Sequence, residues 1–240
     1  YGILFAISAS ILWSITVTLI KPISNNVSPF LINPIKNTIG LLLFFISFII
    51  FDISLWYDGL FKEQYMIILL SGALGMFLGD TIFIYALNKI GANRVAIVDA
   101  FSPVIIFSYS FLLLPNQALN EMQIIGFIIT ILGLLILTYE NDYKDINYKV
   151  KRFGILLVLS AMMCTGFGIV YLKKVLNVIN ETGYDIQLNL WITAFRLIPG
   201  VILSWLLFIF KKNKIQLIKP IKNKTNFIPL LIASIIGPFL

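Results

Sequence analysis

The sequence predicts an all-α, polytopic membrane protein. Three observations carry this prediction. Of the 240 residues, 59% are hydrophobic and only 12% are charged, and the mean hydropathy is +0.95; soluble domains sit near ~45–50% apolar and ~25% charged. The apolar residues fall in blocks of roughly 19–25, the length a helix rising about 1.5 Å per residue needs to cross about 30 Å of hydrocarbon. These blocks are apolar on nearly every face, where a soluble helix would keep a polar stripe. A β-barrel strand would instead alternate polar and apolar residues over about 10 positions.

In chain order, spans are expected at about 2–20, 29–51, 65–87, 95–114, 122–139, 153–172 and 186–210, and an eighth begins near 227 and is cut off at Leu240. Short polar loops bound them: "KPISNNVS", "DISLWYDGLFKEQ", "NKIGANR", "PNQALNE", "ENDYKDINYKVKR", "KKVLNVINETGYD" and "KKNKIQLIKPIKNKTN". None is long enough to form a soluble domain. The net charge of +7 lies in these loops, where it records topology and contact with anionic lipid. Nucleic acid is not an expected partner: no basic helix is interleaved with stacking aromatics, and most aromatics are Phe inside apolar runs. The chain has no histidine and one cysteine, Cys164, so a His-ligated metal, a His general base and an intramolecular disulfide are all excluded. No cofactor or metal is expected.

An internal echo organises the spans. "GILFAISAS" from Gly2 is answered by "GILLVLSAM" from Gly154, so Ser8-Ala9 match Ser160-Ala161, and Lys21 matches Lys173 at the same offset. Lys36-x-x-x-Gly40 then matches Arg196-x-x-x-Gly200, and "LGMFL" before Gly79 matches the terminal "IGPFL". Each match is weak alone; three in the same order at similar offsets are much stronger. The predicted unit is five spans over 1–139, then a connecting loop over 140–152, then a second copy over 153–240 interrupted in its third helix. An odd number of spans forces the second copy to enter the membrane from the opposite side. Inverted repeats of this kind characterise secondary transporters, which place the substrate near the midplane between the halves. The expected whole is a ten-helix, five-plus-five fold with about two and a half helices beyond Leu240.

The stretch "GDTIFIYALNKIGANRVAIVDAFSPVIIF", followed by "MQIIGFIITILGLLIL", resembles the EamA-type transporters of the drug/metabolite transporter superfamily. The matching features are Ala86-Leu87, Gly91-Ala92-Asn93-Arg94, Pro103-Val104, Gln123-x-x-Gly126 and Gly133. The resemblance implies ten helices in two inverted halves, and export or exchange of small metabolites without ATP. The chain departs from the family pattern at Pro115-Asn116-Gln117, where Leu-Gly-Glu is common, and at Ser102, where an acid often precedes the proline. Asp99 stands where the family is usually apolar.

Four charges lie inside spans: Lys36, Asp80, Asp99 and Arg196. Each costs roughly 2.5–3.5 kcal/mol at mid-helix on insertion scales. Lys36 and Arg196 occupy equivalent repeat positions, so they are expected on opposite halves of one cavity, drawing in an anionic group. The alternative for each is a snorkelling side chain near a helix end. Gly72, Gly75 and Gly79 share one helical face suited to close packing, and Asp80 at its edge can look into the bundle. There it could bind and release a proton for coupling, or sit locked in a structural ion pair. Asp99, one turn before Ser102 and Pro103, has the same two readings; Pro103 removes an intrahelical hydrogen bond and can open the backbone at a site. Trp13, Tyr85, Tyr109, Tyr171 and Trp191 could give the cavity an aromatic wall, or serve as packing and interfacial belt.

The expected function is a secondary active transporter, an exporter or exchanger of small metabolites or drug-like solutes. It would work by alternating access in the cell membrane, with protons as an optional coupling partner. It is not expected to be an enzyme. Two alternatives stand beside it. One is a membrane scaffold or receptor. The other is an intramembrane aspartyl protease, suggested by "FLGD" at 77–80, which would need a Tyr-Asp in a second span; the Tyr-Asp pairs at 57–58 and 184–185 fall in or beside loops. The odd-numbered loops hold 13 Lys/Arg and the even-numbered ones 3, which puts the odd loops in the cytoplasm and the N-terminus outside. The family resemblance implies the opposite orientation.

Overall fold

A computed structural model describes residues 2–56, 60–114, 120–139, 147–180 and 186–239. Every regular element in them is helical. The first two helices, α1 (Gly2–Asn26) and α2 (Pro29–Ile50), are joined by a two-residue turn, with Pro29 at the start of α2 where its missing N–H costs no hydrogen bond. The third span is α3 (Lys62–Gly72), a π-helical segment (Ala73–Gly79) and α4 (Asp80–Ile90), continuous over 62–90. The fourth is broken into α5 (Ala92–Asp99) and α6 (Ser102–Leu113). Then follow α7 (Glu121–Tyr139), α8 (Tyr148–Asn180), α9 (Ile186–Ile209), the short α10 (Lys214–Ile218) and α11 (Lys224–Ile236).

Six of these segments are long and apolar enough to cross a membrane: Ile3–Asn26, Pro29–Ile50, Lys62–Ile90, Ala92–Leu113, Tyr148–Asn177 and Gln187–Ile209. α7 and α11 occupy the remaining two predicted spans as shorter apolar stretches. Large apolar side chains cover the outside, among them Ile3, Ile49, Ile129, Leu156 and Ile202. Polar side chains sit inside: Asn33, Asn37, Lys36, Ser71, Thr81 and Ser204 are all buried. This inversion of the soluble pattern is what lipid as solvent selects. The chain is an integral, multi-pass membrane protein.

Two differences from the expected spans have physical causes. The third span contains a π segment that its composition does not signal. The fourth breaks at Ala100-Phe101, directly before Ser102-Pro103, because a proline cannot donate to the preceding turn and suits the first turn of a new helix. The Tyr-Asp pairs at 57–58 and 184–185, and Pro115-Asn116-Gln117, lie outside the described residues.

Packing leaves a space at the centre. α2 packs on α9, α1 on α11, and α8 on both α4 and the π segment. One core cluster joins α1, α2, α4, α8 and α11 around Ile23, Ile32, Leu87, Val158 and Leu230. A second joins α2, α3, α8 and α9 around Phe44, Ile68, Val175, Trp191 and Leu197. The ends of α1, α4 and α9 and the starts of α2 and α8 make contacts with one another: Lys21 Nζ donates to the Leu87 carbonyl at 3.0 Å, Ile90 fills the space over Gly154, and Lys211 Nζ sits 3.6 Å from the Phe30 ring centroid.

Candidate functional site: a central charged cavity

Between the two core clusters lies a cavity of about 840 Å³. α1, α2, the 62–90 span, the α5–α6 break, α8, α9 and residues 237–239 all line it. Lys36, Asp80, Asp99, Arg196 and Trp13 are all on its wall. Five residues singled out from the sequence are thus brought to one space from five separate helices.

The position of Asp80 follows from the π segment. A π turn carries one residue more than an α turn and leaves carbonyls poorly partnered. The Asp80 N–H reaches back five residues to the Gly75 carbonyl. The Met76 carbonyl instead accepts from two α2 side chains, Asn33 Nδ2 at 3.0 Å and Asn37 Nδ2 at 2.9 Å. Asn33 also donates to Thr81 Oγ1 at 2.9 Å, and Asn37 to Asn33 Oδ1 at 3.2 Å. These buried amides clip α2 to the turn that presents Asp80. On the same face of α2, buried Lys36 Nζ donates to half-buried Asp80 Oδ2 in an ion pair; the two side chains are 4% and 14% exposed. Partnered in this way, neither charge faces hydrocarbon alone.

The glycines let the helices close around this pair. A Cβ on Gly72 would run into the Arg196 carbonyl oxygen, and one on Gly79 into Thr165 Oγ1. Gly75, between them, faces the Arg196 guanidinium. The glycine stripe therefore serves two helices and the cavity: Gly72 meets α9, Gly79 meets α8, and Gly75 leaves room for a charge.

Asp99 ends α5 at the break in the fourth span. Trp13 Nε1 donates to its Oδ2 at 3.2 Å and Ser102 Oγ to its Oδ1 at 3.0 Å. Arg196, on α9, turns its guanidinium toward Gly75 in the π segment. Its Nε is buried without a hydrogen-bond partner among the described residues. Nearby α9 residues Asn189 and Thr193 share the cavity wall.

A model of the EamA-like transporter family matches residues 1–139, which hold α1 through α7 and three of the four intramembrane charges. The chain belongs to the EamA-like transporter family. No curated protein and no solved structure matches it at a significant level. Membership makes it a membrane transporter-family protein whose partners are a small-molecule solute and lipid.

The remaining sequence candidates lie elsewhere in this EamA-like protein. Tyr85 packs on Phe30 at 5.9 Å between ring centroids, beneath Lys89, and is not on the cavity wall. Tyr109 packs edge-on against Phe167 at 5.6 Å, which in turn stacks on Tyr171. Trp191 is buried against Phe195 and donates to the Leu55 carbonyl at 3.2 Å. Among the described residues, no group of three or more His, Cys, Asp or Glu side chains is placed to hold a metal ion. The sequence reading missed Asn33 and Asn37. The available signal was "NPIKN", two amides flanking a lysine inside an otherwise apolar span.

Proposed function

We propose that this EamA-like protein is a secondary active transporter, an exporter or exchanger that carries a small metabolite or drug-like solute through the central cavity by alternating access. The observation that carries the reading is the cavity itself: about 840 Å³, lined by six spans and residues 237–239, walled by both apolar and charged side chains. Transporter sites lie near the midplane at a repeat interface, where charge is tolerated because it faces water or solute and not acyl chains. The helix pairings support a five-helix unit over 1–139 and a related, incomplete one over 153–240, with 140–152 between them. α2 packs on its counterpart α9, while α1 on α11 is matched by α8 on the third span.

Asp80 is the proposed coupling group. With Asp80 ionised, Lys36 holds α2 to the third span. When Asp80 takes a proton, Lys36 loses its counter-charge and the contact weakens, which biases the bundle toward its other-facing state. The odd-numbered loops carry most of the Lys/Arg, so we place them in the cytoplasm of a cell-membrane protein. The protease alternative finds little support: two aspartates do line the cavity, but Asp80 is committed to Lys36 and Asp99 to Trp13 and Ser102, so they do not form a dyad sharing one proton. A scaffold or receptor has no use for a buried, titratable pair on a cavity wall.

Solute flux into proteoliposomes under an imposed pH gradient tests the proposal. Flux driven by the gradient, and lost as gradient dependence in Asp80→Asn while solute exchange persists, is the expected outcome. Gradient-driven flux unchanged in Asp80→Asn would remove Asp80 from coupling.

A further inference from the structure

Between α9 and α11 the chain carries a concentration of positive charge that the described residues do not offset. Residues 211–224, "KKNKIQLIKPIKNK", hold six lysines and no aspartate or glutamate. Among the described residues none of the six pairs with a carboxylate; the ion pair found there is Lys36–Asp80. The segment is fastened to the bundle along its length. Lys211 Nζ lies over the Phe30 ring of α2. Asn213 turns the chain through the left-handed region at φ 60°, which asparagine tolerates. α10 and a 3-10 turn (Lys219–Lys222) follow. Leu217 and Ile221 pack against the core cluster, and buried Asn226 Nδ2 donates to the Pro220 carbonyl at 2.8 Å.

The rest of the segment is open. Lys211, Lys212, Lys214 and Lys219 line a surface groove of about 810 Å³ with Ile215 and Gln216. Ile215 is 77% exposed. Phe210 at the end of α9, and Phe227 and Ile228 at the start of α11, are exposed as well. Lysines interleaved with outward apolar side chains, at the end of membrane spans, suit the headgroup layer of a bilayer. Four ammonium groups around one groove repel one another, and an anion seated among them removes that repulsion. A lipid anion is already concentrated in this layer, and its acyl chains can lie against Phe210, Phe227 and Ile228. A soluble anion makes no use of those side chains. A headgroup with two phosphates delivers two negative charges in one binding event, whereas two single-phosphate lipids must each give up their own freedom of motion.

We propose that this groove is a binding site for an anionic lipid whose headgroup carries two phosphates. The lysines hold the phosphates, and the apolar side chains at the ends of α9 and α11 meet the acyl chains. Lysine fits the task, because a flexible point charge follows phosphates whose spacing varies. The groove shares no residue with the central cavity, so the site stands whatever that cavity carries.

Tetraoleoyl cardiolipin, with two phosphodiesters in one headgroup, is the probe. Dioleoylphosphatidylglycerol at twice the concentration supplies the same charge in separate molecules. Titration of the purified protein in detergent, followed by native mass spectrometry, reads the number and affinity of bound lipids. One cardiolipin is expected to bind at least about tenfold more tightly than phosphatidylglycerol. The triple variant Lys212→Gln, Lys214→Gln, Lys219→Gln should weaken cardiolipin by at least about tenfold. The charge-matched triple Lys149→Gln, Lys222→Gln, Lys224→Gln lies off the groove and should weaken it by less than about threefold. All six substituted side chains are exposed, so neither variant disturbs the packing. Equal binding of the two lipids would overturn the proposal. So would equal weakening by the two triple variants, which would mean diffuse surface charge. Displacement of bound cardiolipin by millimolar inorganic pyrophosphate would overturn it too, by assigning the groove to a soluble anion.

Discussion

Gly40 and Gly200 have exchanged surroundings. A Cβ on Gly40 would meet Pro238 at 2.7 Å and Leu197 at 3.7 Å; a Cβ on Gly200 would meet Met76 at 2.8 Å and Asn37 at 3.3 Å. In the repeat alignment Gly40 matches Gly200, Asn37 matches Leu197 and Met76 matches Pro238. Each glycine thus touches the counterparts of the other's neighbours, as the proposed two-fold relation between the units would require. With Cys164→Ser as background, Gly40→Cys with Pro238→Cys, and Gly200→Cys with Met76→Cys, should each cross-link under mild oxidation. The Cβ atoms start near 2.9 Å and 2.8 Å, within about an ångström of disulfide spacing. Peptide mass spectrometry reads the result. Cross-linking of one pair without the other would contradict the exchange.

The Lys36–Asp80 pair is largely withdrawn from solvent, so its members are interdependent. Lys36→Met or Asp80→Leu alone should destabilise the protein by about 3–5 kcal/mol, because each strands the opposite charge. The double substitution should recover a large part of that loss. Thermal unfolding in detergent of the two single variants and the double variant measures the coupling directly; strictly additive losses would mean the two charges do not depend on each other.

The Asn33 and Asn37 amides both donate to the Met76 carbonyl within the π segment. Replacing both with Leu should cost about 1–3 kcal/mol per unsatisfied group. Amides from Met76 to Thr81 should then exchange hydrogen faster, since the turn can anneal toward α-helix. Unchanged exchange there would mean that the amides do not hold the π segment.

Close approach at Gly72 allows no side chain, because the obstructing atom is backbone. Gly72→Ala should lower stability by about 1–3 kcal/mol through forced separation of α3 from α9. Gly126→Ala, where no described residue lies within 4 Å of a new Cβ, should be close to neutral or slightly stabilising. Equal melting temperatures for the two variants would contradict the packing described here.

Lipid makes some of this molecule easy to read in sequence and hides the rest. A charge in an apolar run is expensive, so Lys36, Asp80, Asp99 and Arg196 stand out, and all four reach one cavity. Spans are legible because apolarity on every face is itself the signal, and the glycine stripe because small residues mark close helix contact. Asparagine is cheaper to insert than a charge, so Asn33 and Asn37 do not stand out. The π segment "ALGMFLG" has no local signature; it depends on donors from α2. Tyr85 and Tyr109 show the limit for aromatics. Lipid, core and cavity all accept a tyrosine, and only the positions of Phe30 and Phe167 decide which of them it meets.

The central claim is that one cavity opens alternately to the two sides of the membrane. Thr193 lines that cavity, so Thr193→Cys with Cys164→Ser places a single thiol on its wall. Labelling by a membrane-impermeant thiol reagent in right-side-out and in inside-out vesicles reads access from each face. The account predicts labelling from both sides, with a transported solute slowing it on both. Labelling confined to one face under every condition, or absent from both, would contradict it.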